Sequence, residues 1–210
     1  MGIRVLLADD HQIVLQGLKS MLVRHDIEVV GEAADGQEAV RLTAGLTPEV
    51  VVMDLGMPLL NGLDAAREIL RAAPRTGVVL LTMHAEDHQV LGALRVGVRG
   101  YVIKTQAVDE LVRAIQEVAK GKFYLGSGAS QTIVEAYLAG SEPPADPLSS
   151  RDHQVLQLVA EGKTTKEIAA LLDISPKTAE TYRTRIMEKL NIHDTAGLVR
   201  YAIRRGLIQI

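Results

Sequence analysis

The first 120 residues repeat one pattern, in which a short apolar run is followed by a longer segment with helical periodicity. Five such runs lie at 3–8, 29–33, 50–53, 78–81 and 101–103. Apolar runs of this length are typical of strands buried on both faces, and their alternation with helices favours parallel pairing. The pattern therefore predicts an α/β fold with a doubly wound, five-stranded parallel sheet.

Composition sets the class of protein. With 210 residues, 47% hydrophobic and 23% charged, the chain is typical of a globular protein with one large domain or two smaller ones. It has no cysteine, which excludes disulfides and thiolate metal sites and suits a reducing compartment. No apolar run approaches the roughly 20 residues of a membrane helix, and the N-terminus lacks a secretory pattern. We expect a cytoplasmic protein with no membrane partner.

The regular alternation ends near Lys120, and a different organisation follows. A short helical pattern at 131–139 precedes a segment rich in glycine and proline at 140–147, which is typical of a linker. Residues 148–210 carry a net charge of +3, and the rest of the chain carries −6. So modest an asymmetry also fits ordinary solvated surface. We predict a first domain at 1–122, a linker with a short helix at 123–147 and a second, smaller all-α domain at 148–210.

The second domain has the pattern of four helices. We predict a first helix opened by Ser149 or Ser150 and stopped by Gly162, a second at 166–172 opened by Thr164 and Thr165, a third at 176–190 and a fourth at 195–205. A short helix, a tight turn and a longer helix with exposed basic residues form the helix-turn-helix that enters a DNA major groove. The basic residues of the third helix are Lys177, Arg183, Arg185 and Lys189.

Acidic side chains follow two of the apolar runs. Asp9 and Asp10 follow the first run, and Asp54 follows the third. Because the carboxyl ends of parallel strands lie at one edge of a sheet, these acids are expected to converge on a pocket suited to Mg²⁺ and a phosphoryl group. Thr82 and Lys104 follow the fourth and fifth runs. Each residue alone is as consistent with a turn or ordinary surface, so the prediction rests on their convergence.

Two further motifs are weaker. His84 and His88 have the i, i+4 spacing of a helical metal pair, but Glu86 and Asp87 between them indicate a helix start. The segment Gly126-Ser127-Gly128 lacks the third glycine and the preceding strand of a nucleotide-binding loop. We expect neither motif to bind a ligand.

Motifs of a known family occur in order along the chain. Those of the first domain are Asp9-Asp10, Asp54, the segment 57–62 (MPLLNG), Thr82, Tyr101 and Lys104. Those of the second are the segments 148–151 (LSSR), 155–162 (VLQLVAEG), 166–169 (KEIA) and 174–178 (ISPKT). With these features, residues 1–122 resemble a flavodoxin-like receiver domain and residues 148–210 resemble a LuxR-type helix-turn-helix. The whole chain resembles the NarL/FixJ family of two-component response regulators.

The resemblance implies a role for each residue of the pocket. Asp54 is the phosphoacceptor for a sensor histidine kinase, Asp10 and Asp54 bind Mg²⁺ directly, Asp9 binds it through water, and Gly56 binds it through its carbonyl. Lys104 supplies a cation, Thr82 bonds a phosphoryl oxygen and Tyr101 is an aromatic switch. Since Gly56 has no side chain to shield an acyl phosphate from water, we expect faster dephosphorylation than in relatives with a bulky residue there.

For the second domain the resemblance implies a homodimer on an inverted repeat in double-stranded DNA. The expected DNA-contacting residues are Lys177, Thr178, Glu180, Thr181, Arg183, Thr184, Arg185 and Lys189. The basic ones are expected mainly on phosphates, and Glu180, Thr181 and Thr184 on bases. The expected dimer contact is the stripe Leu198, Val199 and Ala202, a pattern that also suits core packing. RNA polymerase is a further candidate partner.

Two alternative functions remain to be compared with a transcriptional regulator. An aspartyl-phosphate phosphatase also places an aspartate after a strand, but it needs a second acid two residues later, where this chain has Gly56. A receiver that serves only protein interactions would fit a decayed pocket, whereas the pocket residues are all present. We therefore predict a regulator and not an enzyme. Its unphosphorylated receiver is expected to cover the recognition helix or the Leu198 face, and phosphorylation to weaken that packing.

Overall fold

The computed structural model describes residues 2–83, 87–105, 108–126, 147–205 and 207–208. Its first domain contains the strands β1 (Ile3–Ala8), β2 (Ile27–Ala33), β3 (Val50–Asp54), β4 (Gly77–Thr82), β5 (Gly100–Ile103) and β6 (Tyr124–Leu125). The strands are parallel and lie in the order β2-β1-β3-β4-β5-β6. The flanking helices are α1 (Gln12–Leu22), α2 (Gly36–Leu46), α3 (Gly62–Ala72), α4 (Asp87–Val96) and α5 (Val108–Ala119). The predicted doubly wound parallel sheet is confirmed.

Both faces of the sheet are covered by helices. Side chains of a strand point alternately to the two faces, so Leu6 and Val51 pack with α2, α3 and α4, whereas Leu7 and Val52 pack with α1 and α5. These four strand residues are at most 1% exposed. Burial on both faces explains why the central strands β3 and β4 read as unbroken apolar runs.

The sheet extends further than predicted. Tyr124 and Leu125 of β6 pair with Gly100 and Tyr101 of β5, and the Gly126 amide donates to the Tyr101 carbonyl at 2.9 Å. β6 therefore lies within the segment predicted as linker. A strand of two residues is too short to show a period of two, so the pattern of apolar runs indicated five strands. The predicted short helix at 131–139 and the linker at 140–146 lie outside the described residues.

The second domain consists of α6 (Ser150–Ala160), α7 (Thr165–Leu171), α8 (Pro176–Leu190) and α9 (Thr195–Arg204). The four predicted helices are confirmed. Where the prediction gave a helix boundary by residue number, the structure agrees with it to within about one residue. Ser149, Thr164, Ser175 and Asp194 cap them, each accepting a hydrogen bond from the amide three residues later. Within the described ranges, no helix combines the length and the apolar character needed to cross a bilayer.

The two domains contact each other through the loop between β3 and α3. The Gln157 side chain on α6 donates to the Met57 carbonyl at 2.7 Å and accepts from the Asn61 amide at 3.0 Å. Beside it, Nδ1 of His153 lies 3.4 Å from an Asp64 carboxylate oxygen. In the second domain, these contacts are made by α6, its first helix.

Candidate functional site

The ends of four strands bring polar side chains together at one edge of the sheet. Asp9 follows β1, Asp54 ends β3, Thr82 ends β4 and Lys104 follows β5. The strand ends are level because Ala8 pairs with Met53, and Thr82 with Ile103. Asp9, Asp54 and Thr82 are almost fully buried. The structure thus places four of the predicted pocket residues around one point.

The Lys104 ammonium joins the two buried acids. Its Nζ lies 2.7 Å from an Asp9 oxygen and 2.9 Å from an Asp54 oxygen. The backbone helps to place it, because the Lys104 amide donates to the Thr82 carbonyl at 2.7 Å. One cation therefore faces two carboxylates, and the buried part of the pocket has an excess of negative charge.

The pKa of Asp54 shows the consequence of this excess. Burial raises the pKa of Asp54, the hydrogen bond and charge of Lys104 lower it, and the charges of Asp9 and Asp10 raise it further. The net effect is a raised pKa. Burial would lower the pKa of Lys104, but its bonds to Asp54 and Asp9 outweigh burial and raise it. Lys104 therefore stays charged, while ionised Asp54 is incompletely stabilised.

Asp10 and His11 extend the site toward solvent. The Nδ1 atom of His11 lies 2.9 Å from an Asp10 oxygen and 3.2 Å from an Asp9 oxygen. Asp9, Asp10 and His11 can each offer a ligand atom within 4.8 Å of the others. His11 was not predicted, although its place directly after the acid pair was a usable signal.

The donor atoms of this edge suit a hard divalent cation. Carboxylate and carbonyl oxygens are the ligands that Mg²⁺ prefers, and the pocket offers them from Asp9, Asp10 and Asp54. Gly56 lines a cavity of about 380 Å³ together with Asp10 and His11. Since Lys104 compensates the buried acids only in part, a cation would supply charge that the pocket lacks. The residues present therefore fit the predicted metal.

Tyr101 lies on β5, away from the mouth of the pocket. It is 2% exposed and belongs to the hydrophobic cluster on the α3 and α4 side of the sheet. Its side chain is therefore already inward in this structure. Of the weaker motifs, His84 and the segment 127–128 lie outside the described residues, and the His88 side chain is not described.

α7 and α8 form the predicted helix-turn-helix. Ser175 caps α8 by accepting from the Thr178 amide at 3.0 Å, and Pro176 occupies the first turn. One side of α8 is open to solvent, with Lys177, Thr178, Glu180, Thr181 and Thr184 exposed. The Glu180 carboxylate accepts from the Thr165 hydroxyl at 3.0 Å, so it is held by α7 instead of by an arginine.

Two predicted phosphate-contacting residues are engaged inside the domain. Arg185 and Lys189 both bond the carboxylate of Asp152, which is fully buried, and the Lys189 distance is 2.8 Å. Burial would raise the pKa of Asp152, but Lys189, Arg185 and Ser149 hold it well below its usual range. Arg185 and Lys189 therefore tie α8 to α6 in this structure, and their contact with phosphates stays a prediction. Arg183 is also engaged, because it donates to the Thr195 hydroxyl at 2.5 Å.

The predicted dimer stripe on α9 is mostly core. Leu198 and Ala202 are 1% and 0% exposed and pack with the other buried residues of the second domain. They cannot contact a second copy while they are buried there, which corrects that prediction. Val199 alone of the three retains some exposed surface. An amphipathic stripe fits a core or a partner equally well, and here the core holds it.

The predicted covering of the recognition helix also differs from the structure. The first domain packs on α6, while the base-contacting side of α8 is exposed. The Leu198 face is covered by its own domain. The contact between the domains therefore does not cover α8 directly.

Residues 5–116 match the family model of the response regulator receiver domain, and residues 146–202 match that of the bacterial regulatory proteins of the luxR family. The transcriptional regulatory protein MctR of Rhizobium johnstonii is 40% identical over 207 residues, which are 98% of this chain and 95% of MctR. The transcriptional regulatory protein LiaR of Bacillus subtilis is 38% identical over 209 residues, covering 98% of this chain and 99% of LiaR.

Solved structures agree with these matches. A structure of the RcsB response regulator of Salmonella typhimurium superposes with a TM-score of 0.66 at 28% identity, over 99% of each chain. A structure of the two-component response regulator RcsB with DNA gives a TM-score of 0.59 at 29% identity, over 97% of this chain and 98% of that one.

A receiver with a buried aspartate at its sheet edge, followed by a helix-turn-helix domain, defines a two-component response regulator. The chain belongs to the NarL/FixJ family of these proteins, which are transcriptional regulators and not enzymes. Below, the first domain is called the receiver and the second the effector.

Proposed function

We propose that a phosphoryl group transferred from a sensor histidine kinase to Asp54 controls the binding of double-stranded DNA by the effector. The observation that carries this proposal is the joint contact of Lys104 with Asp54 and Asp9. Burial removes water from the Asp54 carboxylate and raises its pKa, so the anion is less stabilised and more nucleophilic. Lys104 holds that anion at the end of β3.

The other pocket residues complete this chemistry. Asp9, Asp10, Asp54 and the Gly56 carbonyl would hold Mg²⁺, which, when bound, offsets the negative charge of phosphoryl oxygens. The Thr82 hydroxyl would bond a phosphoryl oxygen on Asp54, a role supported by its burial at the end of the neighbouring strand. Tyr101 is the aromatic switch that responds to a movement of Thr82. Because Gly56 leaves the adduct unshielded, the acyl phosphate should hydrolyse quickly.

The exposed side of α8 is the proposed DNA-reading surface. Thr178, Glu180, Thr181 and Thr184 face solvent on it, and Lys177 lies at its first turn, where it can meet a phosphate. The effector acts as a homodimer on an inverted repeat, with the outward side of α9 at Val199 near the twofold axis. RNA polymerase is a candidate partner of the DNA-bound dimer. As a DNA-binding regulator, the protein acts in the cytoplasm.

Phosphorylation by a small-molecule phosphodonor in Mg²⁺ tests the proposal. Intact-mass measurement should show one phosphoryl group on the wild type and none on Asp54→Asn. Asp10→Ala should give far less adduct because it removes a metal ligand. The matched control is Asp109→Asn, which alters an exposed acid of α5 and should behave as wild type. A full adduct on Asp54→Asn would refute the assignment.

A further inference from the structure

One effector side chain has all its hydrogen-bonding groups bonded, either to its own helix or to the loop between β3 and α3 (residues 55–61), which is called the receiver loop. Gln157 is 1% exposed. Its amide nitrogen donates to the Met57 carbonyl at 2.7 Å and to a Glu161 carboxylate oxygen at 2.8 Å. Its oxygen accepts from the Asn61 backbone amide at 3.0 Å and from the Asn61 side chain at 3.4 Å. Both amide hydrogens and the carbonyl are thus bonded, three of the four contacts being to the receiver loop.

The loop that Gln157 holds is strained. Leu59 has a φ of +64°, a conformation that a branched side chain rarely adopts. The Leu59 side chain packs against the effector core, and the Leu60 amide bonds the Pro58 carbonyl at 2.7 Å. A strained loop persists only where its surroundings hold it. Here, effector contacts at Met57, Leu59 and Asn61 supply that hold.

The same loop begins at the phosphoacceptor. It follows Asp54 directly, and its far end is tied back because the Gly62 amide donates to the Leu55 carbonyl at 2.9 Å. A side chain at Gly62 would come within 2.1 Å of the Asp54 carbonyl oxygen. The loop is therefore packed tightly on the end of β3, and a shift at Met57 must be felt at Gly56 and Asp54.

The effector also lines the opening of the pocket. The cavity bounded by Asp10, His11 and Gly56 is lined on the effector side by Glu161, Leu207 and Ile208. A phosphodonor brings negative charge to this opening, where it meets the Glu161 carboxylate and two apolar residues. The packed arrangement therefore disfavours delivery of a phosphoryl group to Asp54.

We propose that Gln157 is a positioning residue for phosphoryl transfer: it clamps the receiver loop at Met57 and Asn61, and the clamp slows phosphorylation of Asp54. This inference rests on the proposed function and adds an effector residue to its control. When phosphorylation rearranges this loop, we expect the Gln157 contacts to weaken in turn. Release of α6 is then the first change that the effector experiences.

The test uses full-length variants of Gln157. Gln157→Ala removes the clamp, and Gln157→Met keeps about the size of the side chain, adds no charge and removes the donors to Met57 and Glu161. Both should be phosphorylated faster than wild type by the same small-molecule donor, by about tenfold. The matched control is Gln154→Ala on the same helix, where the side-chain oxygen accepts from Arg151 at 2.8 Å. It should keep the wild-type rate.

Amide hydrogen exchange measures the clamp without any phosphoryl group. In Gln157→Ala, the peptide that contains Asn61 should exchange about tenfold faster, because its amide loses its acceptor. Gln154→Ala should leave that peptide unchanged. Phosphorylated wild type should show the same faster exchange at Asn61.

Rates and exchange together decide the inference. Wild-type or slower phosphorylation in either folded Gln157 variant would overturn it, and so would unchanged exchange at Asn61. If the wild type itself accepted no phosphoryl group, the proposed function would fail, while faster exchange at Asn61 in Gln157→Ala would still establish the clamp.

Discussion

Two buried aspartates, one in each domain, are held in opposite ways. Asp54 in the receiver is 2% exposed and Asp152 in the effector is 0% exposed. Burial raises the pKa of Asp54, and Lys104, which it shares with Asp9, does not offset the effect. Burial would raise the pKa of Asp152 as well, but Lys189, Arg185 and Ser149 more than offset it.

The difference teaches that the supply of partners, and not burial, separates a reactive acid from a structural one. Asp152 has its charge balanced by two cations and its oxygens bonded at a helix start, so a further ligand has little to add. Asp54 is left with charge that a metal ion or covalent modification can relieve. The following predictions test this contrast, beginning with the largest effect.

Asp152→Ala should destabilise the effector by about 2 kcal/mol, because it removes a capping box and both ion pairs. The loss is limited because the Arg185 and Lys189 side chains are 44% and 34% exposed and can turn to water. Exchange of amides in α6 and α8 measures the loss, and receiver amides should not change. Glu188→Ala, an exposed acid on α8, serves as control. Equal protection in both variants would contradict the structural role of Asp152.

As pH falls, Asp54 and Asp152 should change the free energy of unfolding in opposite directions. The folded pKa of Asp152 lies below its unfolded value of 3.8, so its stabilisation is present above that value and is lost as pH falls toward the folded pKa. The raised pKa of Asp54 means that its ionised form costs stability at neutral pH, a cost that shrinks as pH falls through the folded pKa and is gone below the unfolded value of 3.8.

Urea denaturation of full-length protein checks these signs. Between about pH 5 and pH 3, the stability advantage of wild type over Asp152→Ala should narrow. Over the same pH range, the stability advantage of Asp54→Asn over wild type should also narrow. An advantage of wild type over Asp152→Ala that grew on acidification would show that the Asp152 carboxylate is not held as an ion.

Substitutions of two basic residues of α8 should have different effects, one on the stability of the effector and the other on DNA binding. Arg185→Ala should lower effector stability by about 1 kcal/mol, because it breaks the bond to Asp152 and the contact 4.5 Å from the Tyr182 ring. Lys177→Ala should leave stability unchanged and lower the salt slope of DNA binding by about 1. Melting curves and binding titrations across salt give both quantities. Equal stability losses in the two variants would remove the distinction.

Asp54→Asn should give the smallest effect, a slight stabilisation of the receiver in the absence of Mg²⁺. The variant removes a buried charge, while Lys104 keeps its bond to Asp9. Urea denaturation of wild type and variant provides the measurement, with Asp109→Asn as control. A clear loss of stability would show that the Asp54 charge is as well compensated as that of Asp152.

Local patterns predicted the fold well because they act over short distances. The apolar runs identified β1 to β5, and Ser149, Thr164 and Ser175 marked helix starts by their capping chemistry. The pocket could be predicted from strand ends alone, since parallel topology brings every carboxyl end to one edge. Asp9, Asp10 and Asp54 needed no further information to be placed together, whereas Thr82 and Lys104 were identified through the family resemblance.

Long-range partners could not be predicted in this way. A basic residue on α8 looks the same in sequence whether it meets DNA or Asp152, which is 33 positions from Arg185 and 37 from Lys189. The stripe of Leu198 and Ala202 is equally ambiguous between core and partner. The Gln157 contacts span 96 and 100 positions, and no local pattern marks them.

The position of Leu59 limits how a receiver domain can be joined to a different output domain. It belongs to the receiver chain, yet its side chain packs against the hydrophobic core of the effector. A hybrid that joined this receiver to a foreign output domain would leave Leu59 facing water, unless the new domain offered a matching recess. The unit that can be transplanted intact is therefore the loop together with the α6 surface that receives it.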